Sequence, residues 1–207
     1  MERKDKVKWI YSSRDNKELA ERYDQWAKDY ETDLTEGFEW VGPKQAATCF
    51  AKYVPKDARI LDAGAGTGLM GEILAQMGYK HMVGMDLSPG MLEEARNKGV
   101  YQQLDQMVMG EHLEYDTDSF DAVISVGVLT VGHAPSSSFD ELIRVTKPGG
   151  YIVYTLRPDL YESEFKKKQD ALQAEGAWVL VEVSDKFQPM PKGEPEVYHQ
   201  VWVYQVR

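Results

Sequence analysis

Three glycines alternate with small residues in the segment from Asp62 to Gly68, which reads Asp-Ala-Gly-Ala-Gly-Thr-Gly. The segment follows a short apolar run at residues 59–63 and precedes a helical pattern from Leu69 to Met77. Glycine tolerates positive φ angles and allows a ligand to touch the main chain. Backbone N–H groups at the start of a helix suit an anionic group or the polar end of a nucleoside. The segment therefore predicts a ligand-binding turn between a buried strand and a helix.

The spacing of these glycines differs from that of a dinucleotide-binding fingerprint. The pattern Gly-x-Gly-x-x-Gly would place its third glycine at Leu69, whereas the third glycine here is Gly68. A second apolar run, at residues 82–86, ends in Asp86. A carboxylate at that point can accept hydrogen bonds from both ribose hydroxyls, and a helix cap or turn residue is the alternative role. A nicotinamide-dependent oxidoreductase thus remains an alternative, but the glycine spacing disfavours it.

Hydrophobic patterning along the chain predicts an α/β fold. The expected strands are residues 59–63, 82–86, 106–109, 120–126, 151–156, 178–183 and 197–204. Helical patterns separate the first five, and strands that alternate with helices favour a parallel sheet covered on both faces. The last two strands are joined by a proline-rich loop, which predicts a hairpin that closes one edge of the sheet.

The N-terminal part differs in pattern from the rest of the chain. Residues 1–16 are polar with scattered apolar positions, so we expect an arm whose order the pattern leaves open. From Asn16 onward, apolar side chains recur every three or four residues and define one face of a helix. These side chains are Leu19, Tyr23, Trp26, Ala27 and Tyr30. A second amphipathic segment, residues 46–53, ends before Pro55 because proline cannot continue a helix.

Charge and composition exclude several classes of protein. The chain has 24 Lys and Arg against 34 Asp and Glu, a net charge of −10, which disfavours binding to nucleic acid phosphates. Its one cysteine, Cys49, excludes an internal disulfide and a cysteine-rich zinc site. No apolar stretch approaches the roughly 18 residues of a membrane span, and the N-terminus lacks the apolar core of a signal peptide. We therefore expect a cytoplasmic protein with no membrane partner, and the sequence leaves its oligomeric state open.

Four segments in this order resemble the class I S-adenosylmethionine-dependent methyltransferases. They are residues 62–68, 84–92, 119–123 and 145–150. The details Leu-Ser-Pro-Gly-Met-Leu at 87–92 and Val-Thr-Lys-Pro-Gly-Gly at 145–150 are most similar to the Williams–Beuren-region methyltransferase-like proteins. Such enzymes often carry Tyr-Asp-x-Trp-Ala-x-x-Tyr ahead of the core, as residues 23–30 do here. The resemblance covers about residues 20–160.

The resemblance implies a three-layer, Rossmann-like fold with a seven-stranded, mostly parallel sheet and an antiparallel last strand. S-adenosylmethionine would lie across the carboxyl ends of the first strands, and S-adenosylhomocysteine would be the product. Residues 1–43 would form an N-terminal arm and lid helix. Residues 44–207 would form the S-adenosylmethionine-binding methyltransferase domain, and the two parts would make one structural domain overall.

The resemblance also assigns residues to each part of the cofactor. Asp62, Gly64, Ala65 and Gly66 would lie against its methionine part, and Asp86 would hold the ribose diol. Leu87 and Met91 would pack on the adenine, and its edge would be lined by Gly110, Glu111 and His112. The methyl-donor side would be lined by Val126, Gly127 and Val128, and Tyr23 and Tyr30 would cover the site from the N-terminal helix. Relatives often have an acidic residue where this chain has Met109, and Glu111 or backbone alone would take its place.

The acceptor side of the site is less defined by the sequence. His133 follows the fourth strand, so a catalytic base and a structural histidine are both possible roles. Tyr161, Trp178, His199 and Trp202 are candidate walls of an acceptor pocket, although alternating aromatics in strands are more often part of a core. No cluster of His, Cys and Asp has the spacing of metal ligands, so no metal is expected.

The sequence therefore predicts methyl transfer from S-adenosylmethionine, with a small-molecule acceptor favoured over a protein acceptor. The first alternative is a protein that binds S-adenosylmethionine or S-adenosylhomocysteine as a sensor or scaffold without catalysis. A nucleic acid adenine methyltransferase is disfavoured, because the fourth strand is followed by Val126, Gly127 and Val128 instead of an Asn/Asp-Pro-Pro-aromatic motif. The net charge of −10 also disfavours a nucleic acid as the substrate.

Overall fold

The computed structural model describes residues 3–130, 133–160 and 164–207. Its helices are α1 (Arg3–Tyr11), α2 (Asn16–Thr32), α3 (Gly42–Phe50), α4 (Leu69–Gln76), α5 (Pro89–Asn97), α6 (Ser138–Val145), α7 (Pro158–Leu160) and α8 (Lys166–Ala174), with a π-helical turn at Asp33–Gly37. Its strands are β1 (Arg59–Ala63), β2 (His81–Asp86), β3 (Gln103–Gln106), β4 (Phe120–Ser125), β5 (Thr146–Leu156), β6 (Trp178–Val183) and β7 (Gln200–Val206).

The seven strands form one sheet in the order β3-β2-β1-β4-β5-β7-β6. Strands β1 to β5 pair in parallel, and β7 lies antiparallel between β5 and β6. The predicted mostly parallel sheet with an antiparallel last strand is confirmed. Because the chain runs outward from β1 to β3 and then returns to β4, the direction of winding reverses between β1 and β4. Ligands of open α/β sheets bind at the carboxyl end of such a reversal.

Two hydrophobic cores cover the faces of the sheet, because successive side chains of a strand point to opposite sides. On one face, Leu61 and Val123 pack with α6 and α8 through Phe139 and Leu172. On the other face, Ile60, Met82 and Ile124 pack with α3 and α4. The fold therefore has three layers, as the sequence predicts.

A third apolar cluster joins the N-terminal helices beyond the carboxyl end of the sheet. It contains Ile10, Leu19, Trp26, Leu34 and Phe38. The open expectation for residues 1–16 is resolved for residues 3–11, which form α1. Two cations of α1 pair with Asp33, Arg3 at 2.8 Å and Lys6 at 2.7 Å, and this carboxylate is 5% exposed. Periodicity did not predict α1, because contacts with α2 and the π-helical turn stabilise it.

Three strands differ from the prediction by three or more residues at one or both ends. The fifth strand begins at Thr146 and not at 151, since Thr146 already pairs with Phe120 of β4. The third strand is Gln103–Gln106 and not residues 106–109, because the sheet pairs Val83–Asp86 with 103–106. As an edge strand with no fully buried residue, it needs no apolar run. The last strand begins at Gln200 and not at 197, after an isolated bridge between Phe187 and His199. In the described part of the chain, no helix is long and apolar enough to cross a membrane.

Candidate active site

A cavity of about 870 Å³, including the part that opens to solvent, lies at the carboxyl ends of β1, β2 and β4. The helix α2 contributes Leu19, Tyr23 and Tyr30 to its wall, so the cavity lies between the sheet and the N-terminal helices. The structure therefore places a cavity at the point where the strand order reverses.

The glycine turn forms one wall of this cavity through positions that exclude larger side chains. Gly64 has φ +85°, and a Cβ there would lie 2.2 Å from a methyl carbon of Val128. Gly66 has φ +54°, and a Cβ there would meet no protein atom within 4 Å. Open space above a left-handed glycine is what close approach of a ligand to the main chain requires. The turn predicted from the sequence is thus present and faces the cavity.

The amide groups of this turn do not point freely at the cavity. The N–H groups of Gly64 and Ala65 both donate to the carbonyl oxygen of Met85 at 2.8 Å. That of Gly66 donates to the Asp86 carboxylate at 2.9 Å. These hydrogen bonds hold the turn against β2, and the donors predicted for an anionic group are those at the start of α4. The turn offers a ligand its Cα surfaces instead.

Asp86 lies at the end of β2, 7% exposed, with its carboxylate against the glycine turn. Besides Gly66, it accepts a hydrogen bond from the N–H group of Ser88 at 2.9 Å. Burial raises the pKa of its carboxyl, while the backbone N–H groups oppose that rise. The side chain lines the cavity. It is therefore a buried, preoriented acceptor for the hydroxyl groups of a ligand.

Asp62, at the end of β1, is a second buried carboxylate in the same cavity and is 1% exposed. The Tyr101 hydroxyl donates to it at 2.6 Å and accepts from the N–H group of Gly71 at 3.1 Å. Burial raises the pKa of Asp62 to about 7, against the lowering effect of Tyr101. A cation from a ligand would hold this carboxylate in its charged form.

Tyr101 is a positioning residue that sequence reasoning missed. Its ring fills the space beside Gly71 and Gly84, where a Cβ would approach within 2.3 and 3.1 Å of ring atoms. This contact explains a glycine inside β2, which no local pattern accounts for. Because Tyr101 belongs to a loop and to no motif, only the tertiary fold identifies it as the partner of Asp62.

Side chains of α2 attach the helix to both ligand-binding turns. Asp24 accepts from the Ser88 hydroxyl at 2.6 Å and from the N–H group of Gly90 at 2.7 Å, at the start of α5. The Thr67 hydroxyl donates to Glu31 at 2.6 Å. A Cβ at Gly90 would lie 2.9 Å from the Cα of Asp24, so the glycine allows this close approach. The structure thus assigns a role to Asp24, which the sequence analysis quoted without one.

His133 lies at the far end of the cavity, next to the aromatic side chains of the N-terminal helices. Its Nε2 atom is 2.8 Å from the Tyr23 hydroxyl oxygen. The rings of Tyr11 and Tyr23 meet the imidazole edge to face, with centroids 5.4 and 5.8 Å away. Burial raises the pKa of Tyr23 well above its ordinary value, so this hydroxyl stays protonated at neutral pH. The pair is a hydrogen-bonded donor and acceptor at the edge of the cavity.

The structure brings thirteen of the sixteen predicted site residues to the cavity wall. They are Tyr23, Tyr30, Asp62, Gly64, Ala65, Gly66, Asp86, Leu87, Met91, Val126, Gly127, Val128 and His133. Sequence reasoning missed further lining residues, some of them inside the motifs and others away from any motif. Among these are Asn16, Leu19, Trp40, Thr67, Met85, Met107, Val108 and Ala134.

The structure does not bring Gly110, Glu111 and His112 to the cavity. Because β3 ends at Gln106, the chain passes the cavity with residues 107–109, and Met109, at the position that is often acidic in relatives, is among them. Gly110 then packs on Pro135, Glu111 is exposed, and the Nδ1 atom of the exposed His112 lies 3.1 Å from the Glu141 carboxylate. The chain therefore passes the cavity three residues before the predicted segment, and the contact of residues 110–112 with adenine stays a prediction.

Of the candidate acceptor walls, Trp178 and Trp202 are buried in the sheet core, 1% and 5% exposed. Tyr161 lies outside the described residues. His199 lines a second cavity, which also contains His133. Among the residues that the structure describes, no group of three or more His, Cys, Asp and Glu could hold a metal ion.

Comparison with known proteins relates this site to one family. A family model described as a methyltransferase domain matches residues 61–154. The human methyltransferase-like protein 27 is 37% identical over 164 residues, 75% of this chain and 66% of that protein. A demethylmenaquinone methyltransferase of Clavibacter sepedonicus is 39% identical over 142 residues, 66% of this chain and 56% of that protein. The chain thus spans 56% to 66% of the length of these curated relatives.

Solved structures agree on the fold. A methyltransferase in complex with the Haloferax volcanii Trm112 activator has a TM-score of 0.66 at 19% identity, with 89% of this chain and 97% of that chain covered. The [4+2]-cyclase SpnF has a TM-score of 0.73 at 14% identity, with 92% and 96% covered. At these identities the likeness concerns the fold alone. With the matched domain and the human relative, it shows that the chain belongs to the class I S-adenosylmethionine-dependent methyltransferases.

Proposed function

We propose that this chain transfers a methyl group from S-adenosylmethionine to a small-molecule acceptor. The proposal depends above all on one observation, the two buried carboxylates Asp62 and Asp86 in a single cavity whose wall is the glycine turn. A ligand that brings both a cation and a pair of hydroxyl groups satisfies both carboxylates. S-adenosylmethionine is such a ligand, with an ammonium group at one end and a ribose diol in the middle.

The residues present fit that cofactor. Asp62 would accept from its ammonium group, which would reverse the effect of burial on the carboxyl pKa. Asp86 would accept from the ribose hydroxyls while its backbone bonds keep it in place. Leu87 and Met91 would pack on the adenine faces. Tyr23 and Tyr30 would cover the methionine part, and the hydroxyl of Tyr30 would reach its carboxylate, because that of Tyr23 is bonded to His133. The cofactor supplies, when bound, a methyl group on a sulfonium that leaves as a neutral thioether.

The chain's own contribution to transfer is positioning, exclusion of water and removal of a proton. We assign the lid to residues 1–43, because α2 covers the cavity and is attached to both turns through Asp24 and Glu31. Orientation of two reactants in a closed site accounts for several kcal/mol of a barrier. For an acceptor that must lose a proton, His133 with Tyr23 is the base that we propose, since their hydrogen bond lies at the edge of the cavity.

Binding without transfer is the second candidate function, and the fold itself supports it. A solved neighbour with the same fold is named a [4+2]-cyclase, so this fold does not specify methyl transfer. A further neighbour was solved with an activator protein, so a protein partner of this chain is compatible with the family. Measurements of cofactor binding and of methyl transfer together separate these possibilities.

The first test is calorimetry with S-adenosylmethionine, S-adenosylhomocysteine and NAD. We expect binding of the first two and none of NAD, and we expect Asp86→Ala to weaken the binding by at least tenfold, because one charge-assisted hydrogen bond contributes about 1.5–3 kcal/mol. Asp105→Ala is the matched control, since Asp105 lies on the neighbouring strand β3 and pairs with Tyr115 outside the cavity. Equal losses for the two variants would contradict the role of Asp86.

The second test is transfer of an isotope-labelled methyl group into small molecules of a cell extract. His133→Ala should lower the rate of labelling and leave the affinity for S-adenosylmethionine within about twofold. Labelled product that appears only in protein would replace the small-molecule acceptor by a protein. Tight cofactor binding with no labelled product in either fraction would favour the sensor or scaffold.

A further inference from the structure

A second cavity, of about 580 Å³ including its open part, lies beside the first. Five residues line both cavities: Tyr23, Tyr30, Trp40, Gly127 and His133. The two spaces therefore share a wall, and the hydrogen bond between Tyr23 and His133 lies within it. Since the first cavity has the features of a cofactor site, a molecule in the second would meet the cofactor at this wall.

The second cavity is walled by apolar and aromatic side chains from both ends of the chain. Val7, Ile10 and Leu34 come from the N-terminal helices, and Pro189 and Met190 come from the loop between β6 and β7. Aromatic rings of Tyr11 and Trp26 complete this wall. None of the described residues that line the space is Asp, Glu, Lys or Arg. A charged molecule would lose its hydration there without an opposite charge on the wall.

Two of the polar groups in this wall come from Thr130 and His199. Burial, together with the Arg157 cation nearby, lowers the pKa of His199 to about 4, so the imidazole is neutral at pH 7. Thr130 is 7% exposed, and its hydroxyl makes no well-formed hydrogen bond within the described structure. Charges that act on this region are Glu194 and the pair of Arg157 and Asp159, whose side chains are 2.7 Å apart.

From this geometry we infer that the second cavity is the acceptor chamber, and that it binds an uncharged, flat and mainly apolar molecule with one O–H or N–H group. The inference rests on the proposed function. The aromatic walls favour a ring system of one or two rings, and Thr130 and His199 can hydrogen-bond a polar substituent on it. The O–H or N–H group would face His133 in the shared wall.

The methyl transfer needs only the acceptor, S-adenosylmethionine and His133 as the group that takes the proton. A lone pair of the acceptor oxygen or nitrogen forms the new bond to the methyl carbon, and the bond from methyl carbon to sulfur breaks with its electron pair left on sulfur. The proton of the acceptor passes to His133, directly or through the Tyr23 hydroxyl. No other reactant is needed.

The test is calorimetry of the full chain, saturated with S-adenosylhomocysteine so that the first cavity is blocked. The probes are 2-naphthol, 2-naphthoate and 2-naphthylmethylammonium, which share a ring system and differ in charge. We expect 2-naphthol to bind at least tenfold more tightly than either ion. We expect Met190→Trp to weaken 2-naphthol binding at least tenfold, because the larger side chain fills the chamber. The affinity for S-adenosylhomocysteine should change less than twofold, which also shows that the variant is folded.

Leu180→Trp is the matched control, because Leu180 is 40% exposed on β6 and lines neither cavity. It should leave the affinity of all probes unchanged. Preference for either ion, no binding of 2-naphthol, or an unchanged affinity in Met190→Trp would overturn the chamber, provided that S-adenosylhomocysteine binds. Failure of S-adenosylhomocysteine to bind the unaltered chain would instead overturn the proposed function, and with it this inference.

Discussion

Replacing Asp62 by Asn should stabilise the ligand-free protein at neutral pH and above. The carboxyl of Asp62 is fully buried, and burial raises its pKa from the ordinary 3.8 to about 7. A rise of about three units corresponds to about 4 kcal/mol at about 1.4 kcal/mol per unit. The Tyr101 hydroxyl, which donates to the carboxylate at 2.6 Å, can donate equally to the amide oxygen of Asn. The substitution therefore removes a buried charge and keeps its hydrogen bond.

The sign of the pH dependence follows from the direction of that shift. The folded state holds the proton of Asp62 to a higher pH than the unfolded state does. The contribution of Asp62 to the free energy of unfolding is therefore fully present below about pH 4 and is lost as the pH rises to about 7. The gain from Asp62→Asn should therefore be small near pH 4, grow with pH, and level off above pH 7 at up to about 4 kcal/mol.

Urea unfolding of both proteins at pH 3, 4, 5, 6, 7 and 8 measures this difference directly. Asp121→Asn is a control of opposite sign, because Lys147 at 2.6 Å and the N–H group of Arg59 hold the pKa of Asp121 below its ordinary value. The Asp121→Asn variant should be less stable than the unaltered protein at neutral pH, and this difference should vanish in acid. A difference between Asp62→Asn and the unaltered protein that does not vary with pH would refute the reasoning.

The same variant should bind S-adenosylmethionine more weakly. If Asp62 accepts from the ammonium group, loss of its charge should raise the dissociation constant by about 10- to 100-fold at pH 8, from a loss of about 1.5–3 kcal/mol. Calorimetry measures this effect separately from stability. An unchanged affinity would remove the ammonium contact and leave the stability argument intact.

Two further substitutions test the shape of the site. Gly64→Ala should weaken cofactor binding and cost about 1–3 kcal/mol of stability by urea unfolding, because its Cβ would meet Val128 at 2.2 Å in a left-handed conformation. Gly78→Ala, also at positive φ but with open space around the new Cβ, isolates the clash, and equal costs would contradict it. Asp24→Ala should speed hydrogen exchange of α2 amides and weaken cofactor binding about tenfold, because it removes both bonds to the start of α5. Unchanged exchange in α2 would show that Asp24 does not hold the lid.

Much of the fold, the glycine turn and the carboxylates at two strand ends can be predicted from the local sequence pattern. The run of β1, the glycine turn and the start of α4 are contiguous, so strand period, glycine spacing and helix start appear in one short segment. Asp86 is likewise predicted from its neighbours in sequence, because it follows the apolar run that forms β2. These predictions succeed because each depends on neighbours in sequence, and a parallel sheet places the ends of successive strands at one edge.

Other features depend on contacts between distant segments. The N–H groups of Gly64 and Ala65 donate to the carbonyl oxygen of Met85 on β2, so the hydrogen-bond partner of these amides lies outside the glycine segment. The end of β3 is set by its pairing with β2, which decides that residues 107–109 and not 110–112 reach the cavity. Helix α1 is stabilised by the ion pairs that its residues Arg3 and Lys6 make with Asp33.

By itself, then, the sequence determined the layers, the mostly parallel sheet and the two strand ends that carry carboxylates, because period and turn chemistry are local. Only the tertiary structure decided the ionisation of Asp62, the partner role of Tyr101 and the presence of a second, uncharged cavity against the first. Burial and pairing over tens of residues set all three, and no local pattern in the chain encodes a distance between segments that meet only after folding.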